Sequence, residues 1–434
     1  ALRLGVVMPL GLSVSGFFGT LAWALYEPMG LIAVAPEEFF VFAAPVLIAA
    51  AGSLALGYRT AAGALIRWAR AADHLATKGS VRGVSALGVS ALMMLSLTGH
   101  FMQLLTGSYG YLTNDALAAN TNLIPWLGGV LGNLDQATVA LATWLAARTK
   151  RRGMVVYAAC SLVVLGSLGL LAAGRKPVLE LGIAALAGLW MGLQKRPGLL
   201  RVLLMTAVLA VIYVSLTGFV RDFRDVINTD QGRLAPTEAV PAFLESRGTP
   251  RESARFENST LESSLFRLGV LADFSVVMSK TPSQVPYKSL SELAVTPLLG
   301  FIPRQIWQGK PLIQTSGEMT KVYYNASIPS GVSMTLTGDL WRHGGILVVL
   351  MGSYLLGVLL RMIDDRTRPT DDSPVRLFLP LMLIATYVTW GTAFKVMLAA
   401  LPLQVLTYVL ACRILAVIPV SRRQSTLRQG MNIQ

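Results

Sequence analysis

Long apolar runs separated by short polar loops dominate the chain. A membrane-spanning helix needs about 20 mainly apolar residues, and ten stretches reach that length. They are roughly 4–25, 38–57, 83–105, 122–147, 154–174, 177–194, 199–219, 335–360, 376–393 and 396–418. The pattern predicts an all-α, polytopic integral membrane protein with about ten transmembrane helices.

One long polar segment, roughly 220–334, interrupts the apolar runs. Ser259-Thr-Leu-Glu262 has the form of a capping box, and the apolar stripe after it predicts an amphipathic helix to about Met278. Ser289-Leu-Ser-Glu292 predicts the start of a second, shorter helix. The predicted domains are spans 1–7 over 1–219, a large helical loop over 220–334, and spans 8–10 with a tail over 335–434.

Composition supports this class. The chain is 53% hydrophobic and only 14% charged, with a mean hydropathy of +0.57, whereas soluble domains carry roughly a quarter charged residues. Cys160 and Cys412 both fall in apolar spans, where cysteine behaves as a small hydrophobic residue. No disulfide framework, zinc-type spacing or pair of histidines at ligand spacing is present. The sequence therefore predicts no metal and no cofactor.

Basic residues alternate with the spans in a way that predicts orientation. With the N-terminus in the cytoplasm, the positive-inside rule places the following cations on one side: Arg59, Arg67, Arg70, Lys78, Arg82, Arg148, Lys150, Arg151, Arg152, Lys195, Arg196, Arg201, Arg422, Arg423 and Arg428. That side carries about +16 and the rest of the chain about −2, of a total of +14. We interpret the basicity as a topology signal, which argues against a nucleic-acid partner. Both termini are predicted to be cytoplasmic and the large loop extracytoplasmic.

The start of the sequence has its own interpretation. Because the chain begins at Ala1, we expect residues to precede it. Ala22-Trp-Ala24 faintly resembles a signal-peptide cleavage site, but the first apolar run is long enough to span and is predicted to be retained.

Phe301-Ile-Pro-Arg-Gln-Ile-Trp-Gln-Gly-Lys-Pro311 is the most informative stretch of the loop. Its two prolines restrict the backbone around Arg304 and Lys310, and Trp307 lies between these cations. Arginine offers a two-pronged contact to phosphate, lysine a point charge, and tryptophan a face for a sugar ring. The alternative is a surface turn with Trp307 at the membrane interface.

Two further pairs of cations lie at predicted outer boundaries. Arg175 and Lys176, in Gly174-Arg-Lys-Pro177, oppose the positive-inside trend. They are candidates for contact with an anionic head group, or for snorkelling to lipid phosphates. Arg221 and Arg224 follow the seventh span, where Asp222 and Asp225 could neutralise them locally.

Gly338-Asp-Leu-Trp-Arg-His-Gly-Gly345 combines three ionisable side chains. In a helix, Asp339, Arg342 and His343 lie on one face at i, i+3 and i+4. A histidine oriented by a carboxylate suits acid–base chemistry. The alternative is a structural ion pair at the helix end.

Polar groups inside predicted spans include His100, Asp135 and Glu180. Ionisable residues within a membrane are functional suspects. His100 and Glu180 are expected near the outer third, where they could line a cavity. Asp135 is expected mid-span and would be the proton site of a transporter.

These motifs resemble those of bacterial O-antigen polymerases of the Wzy type. Phe301–Pro311 resembles the family's Ile-Pro-Arg-x-x-Trp-x-x-Lys-Pro stretch, and Leu171-Ala-Ala-Gly-Arg175 is similar to its Gly-Ser-Arg turn. Gly338–Leu347, continuing to Leu359, resembles its Gly-Glu-x-Tyr-x-x-Phe-Gly helix, with Asp339 in place of Glu and His343 where an aromatic residue is commoner. The resemblance covers most of roughly 170–360.

The resemblance implies an integral-membrane glycosyltransferase at the periplasmic face of the bacterial inner membrane. Such enzymes polymerise undecaprenyl-diphosphate-linked repeat units without a metal or a nucleotide sugar. It implies lipid-linked glycans and membrane lipids as partners, with a chain-length regulator and a flippase of the same pathway. Our hypothesis assigns the donor diphosphate to Arg304 and Lys310, with Arg175 and Lys176 nearby and Trp307, Arg221, Arg224 and Arg342 as further contacts. The base is His343 or Asp339, with Glu318 in reserve.

Other functions remain open from the sequence. An O-antigen ligase would share donor and architecture but deliver the glycan to lipid A core. A transporter or flippase would need charged groups along a central path and usually related halves, and no second half echoes the first. A membrane scaffold without catalytic activity is a further alternative.

Overall fold

The computed structural model of the chain describes the following residues: 8, 37–61, 84–109, 123–172, 174–193, 198–229, 232–234, 236–246, 270–303, 306–307, 309–311, 313, 315–325, 334–366, 378–387 and 391–418. Within these ranges the regular structure is helical, apart from one pair of two-residue strands. The predicted all-α class is therefore confirmed for the described part of the chain.

Fifteen α-helices are described. They are α1 (Glu37–Thr60), α2 (Ala86–Leu105), α3 (Leu123–Gly132), α4 (Asp135–Thr149), α5 (Arg152–Leu171), α6 (Arg175–Leu193), α7 (Leu199–Ile227), α8 (Pro236–Ser246), α9 (Val270–Lys280), α10 (Ser291–Phe301), α11 (Thr315–Glu318), α12 (Leu336–Trp341), α13 (Gly345–Arg366), α14 (Phe378–Tyr387) and α15 (Phe394–Val417). A π-helical turn, Met319–Tyr323, continues α11. Strands β1 (Asn228–Thr229) and β2 (Gly232–Arg233) pair antiparallel, with Asn228 opposite Arg233.

Six of the described helices are long and apolar enough to cross a membrane. Their apolar spans are Val41–Thr60, Ala86–Leu105, Arg152–Leu171, Lys176–Leu193, Gly345–Asp365 and Phe394–Val417. Each coincides with one of the ten predicted spans. The protein is therefore an all-helical membrane protein, while the count of ten spans stays a prediction.

Two predicted spans are interrupted. The stretch 122–147 forms α3 and α4, with a turn at Asn133 and Leu134 between them, and the stretch 335–360 forms α12 and α13. The seventh stretch continues well past the predicted boundary at 219, since α7 ends at Ile227. Ten residues of the ninth stretch form α14, and the first stretch lies outside the described residues except for Met8.

The chain forms two compact units. The first comprises Ala1–Ala72, Ser253–Arg366 and Leu383–Leu403; the second comprises Asp73–Glu252, Thr367–Met382 and Gln404–Gln434. This division reflects packing, whereas the three predicted segments describe membrane topology. The predicted topology of the segments stays a prediction.

In the first unit, α1 and α13 pack closely along each other. A Cβ atom on Gly357 would collide with the backbone of Leu54, so glycine lets the two helices approach, as small residues do between membrane helices. The Ser53 hydroxyl donates to the carbonyl oxygen of Leu350 at 2.8 Å, and the Tyr58 hydroxyl donates to the Asp364 carboxylate. Both helices of this pair contain an apolar span that is long enough to cross a membrane.

The core of the second unit surrounds α4, which packs against α2, α5 and α6. Its buried apolar side chains include Leu134, Leu141, Trp144 and Leu145. Glycine again permits close approach, because a Cβ atom on Gly188 of α6 would collide with the Ala140 carbonyl of α4.

Candidate functional site

The site lies in the first unit, where α12 ends and α13 begins. The Thr335 hydroxyl caps α12 by accepting the Gly338 N–H at 3.0 Å. The chain leaves the helix after Trp341 and re-enters one at Gly345, whose φ is +64°. Since L-residues rarely adopt that left-handed conformation, glycine there allows the sharp turn. This turn holds Arg342 and His343 at the break between two helices.

Asp339 and Arg342 form a fully buried ion pair. The Arg342 Nε donates to Asp339 Oδ1 at 2.7 Å, and the exposed fractions of the two side chains are 1% and 0%. The second carboxylate oxygen, Oδ2, accepts the backbone N–H of Lys395 at 2.6 Å. Because Lys395 is the second residue of α15, Asp339 also neutralises the positive end of that helix. The predicted i, i+3 pair is confirmed, and both carboxylate oxygens accept hydrogen bonds.

Glu318 extends this pair into a network. The Arg342 Nη1 donates to Glu318 Oε2 at 2.5 Å, and Lys288 forms an ion pair with the other oxygen of Glu318. Burial alone would raise the pKa of the Glu318 carboxyl, but the charges of Arg342 and Lys288 outweigh it and hold that pKa below its ordinary value. Glu318 is therefore held as a carboxylate that balances Arg342.

His343 differs from its charged neighbours. Its Nδ1 lies 2.6 Å from the backbone oxygen of Asp339. A carbonyl oxygen can only accept, so Nδ1 carries the proton and Nε2 presents its lone pair. Burial lowers the pKa of His343 below its ordinary value, which keeps the ring neutral near pH 7. The predicted orienting group was the Asp339 carboxylate, whereas the observed one is the carbonyl of the same residue.

Two polar atoms of the site have no partner among the described residues. They are Arg342 Nη2 and His343 Nε2, and both are buried. A buried polar atom without a hydrogen bond is unfavourable by roughly 1–3 kcal/mol. Among the described residues, the Arg342 Nη2 donor and the His343 Nε2 lone pair are therefore not used by hydrogen bonds within the protein.

Hydrogen bonds connect the end of α9, the π-helical turn and Trp341 of α12 beside the site. The Lys280 Nζ donates to the Tyr323 carbonyl at 2.5 Å, and the Thr281 and Tyr323 hydroxyls lie 3.0 Å apart. Trp341 Nε1 donates to the Thr281 carbonyl at 3.1 Å. Since π-helical turns are frequent at functional sites, the one that follows Glu318 fits this position.

The stretch 301–311 folds back on itself. The Pro303 carbonyl accepts the N–H groups of Ile306 and Trp307, and the Trp307 carbonyl accepts the N–H of Lys310 at 3.1 Å. The Lys310 Nζ donates to the Ile302 carbonyl at 2.9 Å. The expected restricted turn is therefore observed. Arg304 lies outside the described residues, so its juxtaposition with Lys310 stays a prediction.

The remaining predicted cations belong to the second unit. Lys176 is exposed and its Nζ lies 4.0 Å from Glu180. Arg224 is partly buried at the end of α7, and the side chains of Arg175 and Arg221 lie outside the described part. Their participation in one site with Arg304 and Lys310 stays a prediction.

The three suspects within predicted spans also lie in the second unit. His100 Nε2 is 4.0 Å from Asp135 Oδ2, and Gln136 Nε2 donates to Glu180 at 3.0 Å. Asp135 was expected mid-span in a continuous helix, but it is the first residue of α4, at the break after α3.

Sequence reasoning missed Lys288, Lys395 and Glu292. Lys395 donates its backbone N–H to Asp339 and its Nζ to Glu292 Oε2, the latter at 2.7 Å. A usable signal existed for Lys395, because it is a single cation between two long apolar stretches. Lys288 and Glu292 had no such signal.

The helices and the buried ionic network define an all-helical membrane protein with a charged site at a helix break. A profile described as "Domain of unknown function (DUF8712)" matches residues 119–368. This match covers more than half of the chain, and the chain belongs to that family. No match was found among curated proteins or among solved structures.

Proposed function

We propose that this protein is an integral-membrane glycosyltransferase. It polymerises undecaprenyl-diphosphate-linked repeat units into O-antigen or a related surface polysaccharide, at the periplasmic face of the bacterial inner membrane. The resemblance of Phe301–Pro311 and Gly338–Leu347 to the Wzy-type polymerases supports this proposal. The observation that carries it furthest is the neutral His343, whose Nε2 is buried and without a partner among the described residues.

The proposed reaction is a direct displacement. The acceptor hydroxyl oxygen attacks the anomeric carbon, and the bond from that carbon to the lipid diphosphate breaks. The hydroxyl proton passes to His343 Nε2, and the electron pair leaves with the diphosphate. Because attack and departure take place on opposite faces, the anomeric configuration inverts. Positioning the two substrates contributes much of the rate.

Among the candidate bases His343, Asp339 and Glu318, the hydrogen-bond geometry favours His343. Asp339 accepts hydrogen bonds through both oxygens, and Glu318 is paired with two cations. These carboxylates are therefore assigned to positioning Arg342 and the end of α15. His343 has the required lone pair and protonation state, so it is the proposed base.

Cations assist the departure of the diphosphate. The resemblance assigns its binding to Arg304 and Lys310, and Arg342 adds a buried Nη2 donor without a partner in the described part. Positive groups aimed at developing negative charge stabilise a transition state. A diphosphate is already a good leaving group, so this role needs no separate acid.

Arg304 provides the cellular test of the proposal. Cells that carry Arg304→Ala should lose the long-chain glycan ladder, and Arg304→Lys should shorten it because lysine cannot form a two-pronged contact. A ladder of full length with Arg304→Ala would contradict the assignment. Deletion of the gene separates the polymerase from the ligase: loss of a polymerase leaves one repeat unit on the core, and loss of a ligase leaves none.

One observation favours transport as a second candidate function. The break between α3 and α4 places Asp135 beside His100, and broken helices with ionisable groups are typical of transporters. Glycan synthesis by the purified protein in detergent, where no compartments exist, would exclude transport as its sole function.

A further inference from the structure

Helix α10 exposes an apolar stripe within the segment predicted to be an extracytoplasmic loop. Leu290, Ala294, Leu298 and Phe301 are exposed and follow each other at intervals of four, four and three residues. That spacing places them on one face of the helix. The exposed fractions of Leu290, Leu298 and Phe301 are 55%, 52% and 47%. A stripe of this size in water would be unfavourable, so it calls for an apolar partner.

The opposite face of α10 is packed, because Thr296 and Leu299 are buried. Within the helix, the Thr296 hydroxyl donates to the Glu292 carbonyl at 2.6 Å. The Ser289 hydroxyl accepts the N–H of Ser291 at 3.2 Å at the start of the helix. The stripe therefore faces outward from a helix whose other side is packed.

Two contacts attach α10 to the beginning of α15, which is one of the six apolar spans. Glu292 forms an ion pair with Lys395 at 2.7 Å. Two turns later, Gly300 approaches the backbone of Ala399 so closely that a Cβ atom would collide with it. A helix that contacts the first turns of a membrane span lies at the membrane boundary.

These two contacts also give α10 a direction. The Glu292 end of α10 contacts the Lys395 side chain, and the Gly300 end contacts the Ala399 backbone one turn further along α15. The Phe301 end of α10 therefore lies towards the middle of the span. With eleven residues, its length of about 16 Å is half of the roughly 30 Å hydrocarbon core. It can enter one leaflet, but it cannot cross the membrane.

We propose that α10 is embedded in the bilayer leaflet at the Phe394 end of α15, with Ala294, Leu298 and Phe301 in contact with acyl chains and Leu290 at the leaflet surface. The polar start of the helix, with Glu292 paired to Lys395, lies at the level of the headgroups. The stretch 301–311 then begins at the lipid-embedded end of α10. This inference does not depend on the proposed enzymatic activity.

Spin labels at single cysteines test the proposal. In a background with Cys160→Ser and Cys412→Ser, nitroxides are attached at Leu298→Cys and Phe301→Cys in the full chain, reconstituted in phosphatidylcholine vesicles. Collision rates with oxygen, which concentrates in lipid, and with a water-soluble nickel chelate report the surroundings of each label. Met351→Cys in α13 is the lipid control, and Ser283→Cys in the exposed turn after α9 is the water control.

The proposal predicts that labels at Leu298 and Phe301 behave as at Met351, with frequent oxygen collisions and rare nickel collisions. Labels at Ala294 should follow the same pattern nearer the surface. Frequent nickel collisions at Leu298, as at Ser283, would overturn the proposal because the stripe would be in water. Low accessibility to both reagents would also overturn it, since another protein surface would then cover the stripe.

Discussion

Arg342 is a buried guanidinium whose charge is balanced by two carboxylates. Its Nε and Nη1 are bound by Asp339 and Glu318. A buried charge is tolerated only when it is paired, and the removal of one partner leaves the other uncompensated. Removal of Arg342 should affect Asp339 more than Glu318, because the Asp339 side chain is fully buried whereas that of Glu318 is 22% exposed.

Replacement of Arg342 by methionine should therefore destabilise the protein. We expect a loss of about 3–5 kcal/mol in the free energy of unfolding, the range for breaking a buried pair from one side. Thermal unfolding in detergent measures it. Lys176→Met is the matched control, because the Lys176 side chain is 52% exposed and lies at the 4.0 Å limit from Glu180, so its loss should change stability by less than about 1 kcal/mol. Equal effects of the two substitutions would contradict the assigned burial.

His343→Asn separates catalysis from structure. The asparagine amide can still donate to the Asp339 carbonyl, but it has no basic nitrogen in place of Nε2. We expect glycan transfer to fall about 10²–10⁴-fold, the range for loss of a general base, while the melting temperature stays within a few degrees of wild type. Lys321→Gln, at an exposed position of the π-helical turn, is the control and should retain activity. A melting temperature that falls together with the activity would indicate a structural role instead.

The pH dependence of the wild-type rate follows from the same residue. The active form of a base is the deprotonated one, so the rate should rise with pH through the pKa of His343. Burial lowers that pKa, so the midpoint of the rise should lie below about pH 6.5, the ordinary value for histidine. Initial rates of transfer between pH 5 and 8 measure the profile. A rise centred above pH 7, or no change after His343→Asn, would identify another base.

The sequence predicted part of this site for a simple reason. Asp339, Arg342 and His343 are three or four residues apart, and helical periodicity alone places them together. Lys395 is 56 residues from Asp339, and its contact depends on how α12 packs against the start of α15. No local sequence pattern predicts a contact between residues so far apart in the chain. The part of the network outside α12 was therefore found only in the structure.

At the scale of elements, breaks in apolar stretches mark both clusters of ionisable residues. Hydropathy predicted two continuous spans because the breaks, Asn133-Leu134 and Arg342-His343-Gly344, are only two and three residues long. Gly132-Asn133 and Gly344-Gly345 were the local signals, since glycine and asparagine commonly end helices. The first break places the Asp135 carboxylate at the start of α4, and the second places His343 between α12 and α13. In a continuous helix, both side chains would lie along the helix instead of at its end.

Gly345→Ala tests the break between α12 and α13. At φ +64°, a Cβ atom adds about 1–2 kcal/mol of strain, and we expect a loss of that size in thermal unfolding. Gly166→Ala in the middle of α5 is the control: a Cβ there meets open space, and alanine should be neutral or favourable by about 0.5–1 kcal/mol. Equal effects of the two substitutions would contradict the assigned conformation.

At the scale of the molecule, the charge pattern predicts which side of the membrane each loop occupies. Lys150 belongs to a basic loop assigned to the cytoplasm, and Ser283 belongs to the segment assigned to the opposite side. Both positions are exposed. In the cysteine-free background, a membrane-impermeant maleimide added to intact spheroplasts should label Ser283→Cys, and Lys150→Cys only after the membrane is opened. The reverse pattern would invert the orientation and remove the periplasmic site.

The proposed function of this membrane protein is to join lipid-linked glycan units. The most direct measurement incubates the purified protein in detergent with a defined undecaprenyl-diphosphate-linked repeat unit and separates the products by size. We expect a ladder of lipid-linked oligomers, with an inverted configuration at each new linkage, that disappears with His343→Asn and persists with Lys321→Gln. Unchanged repeat units with folded wild-type protein, or an equal ladder with His343→Asn, would contradict the proposal.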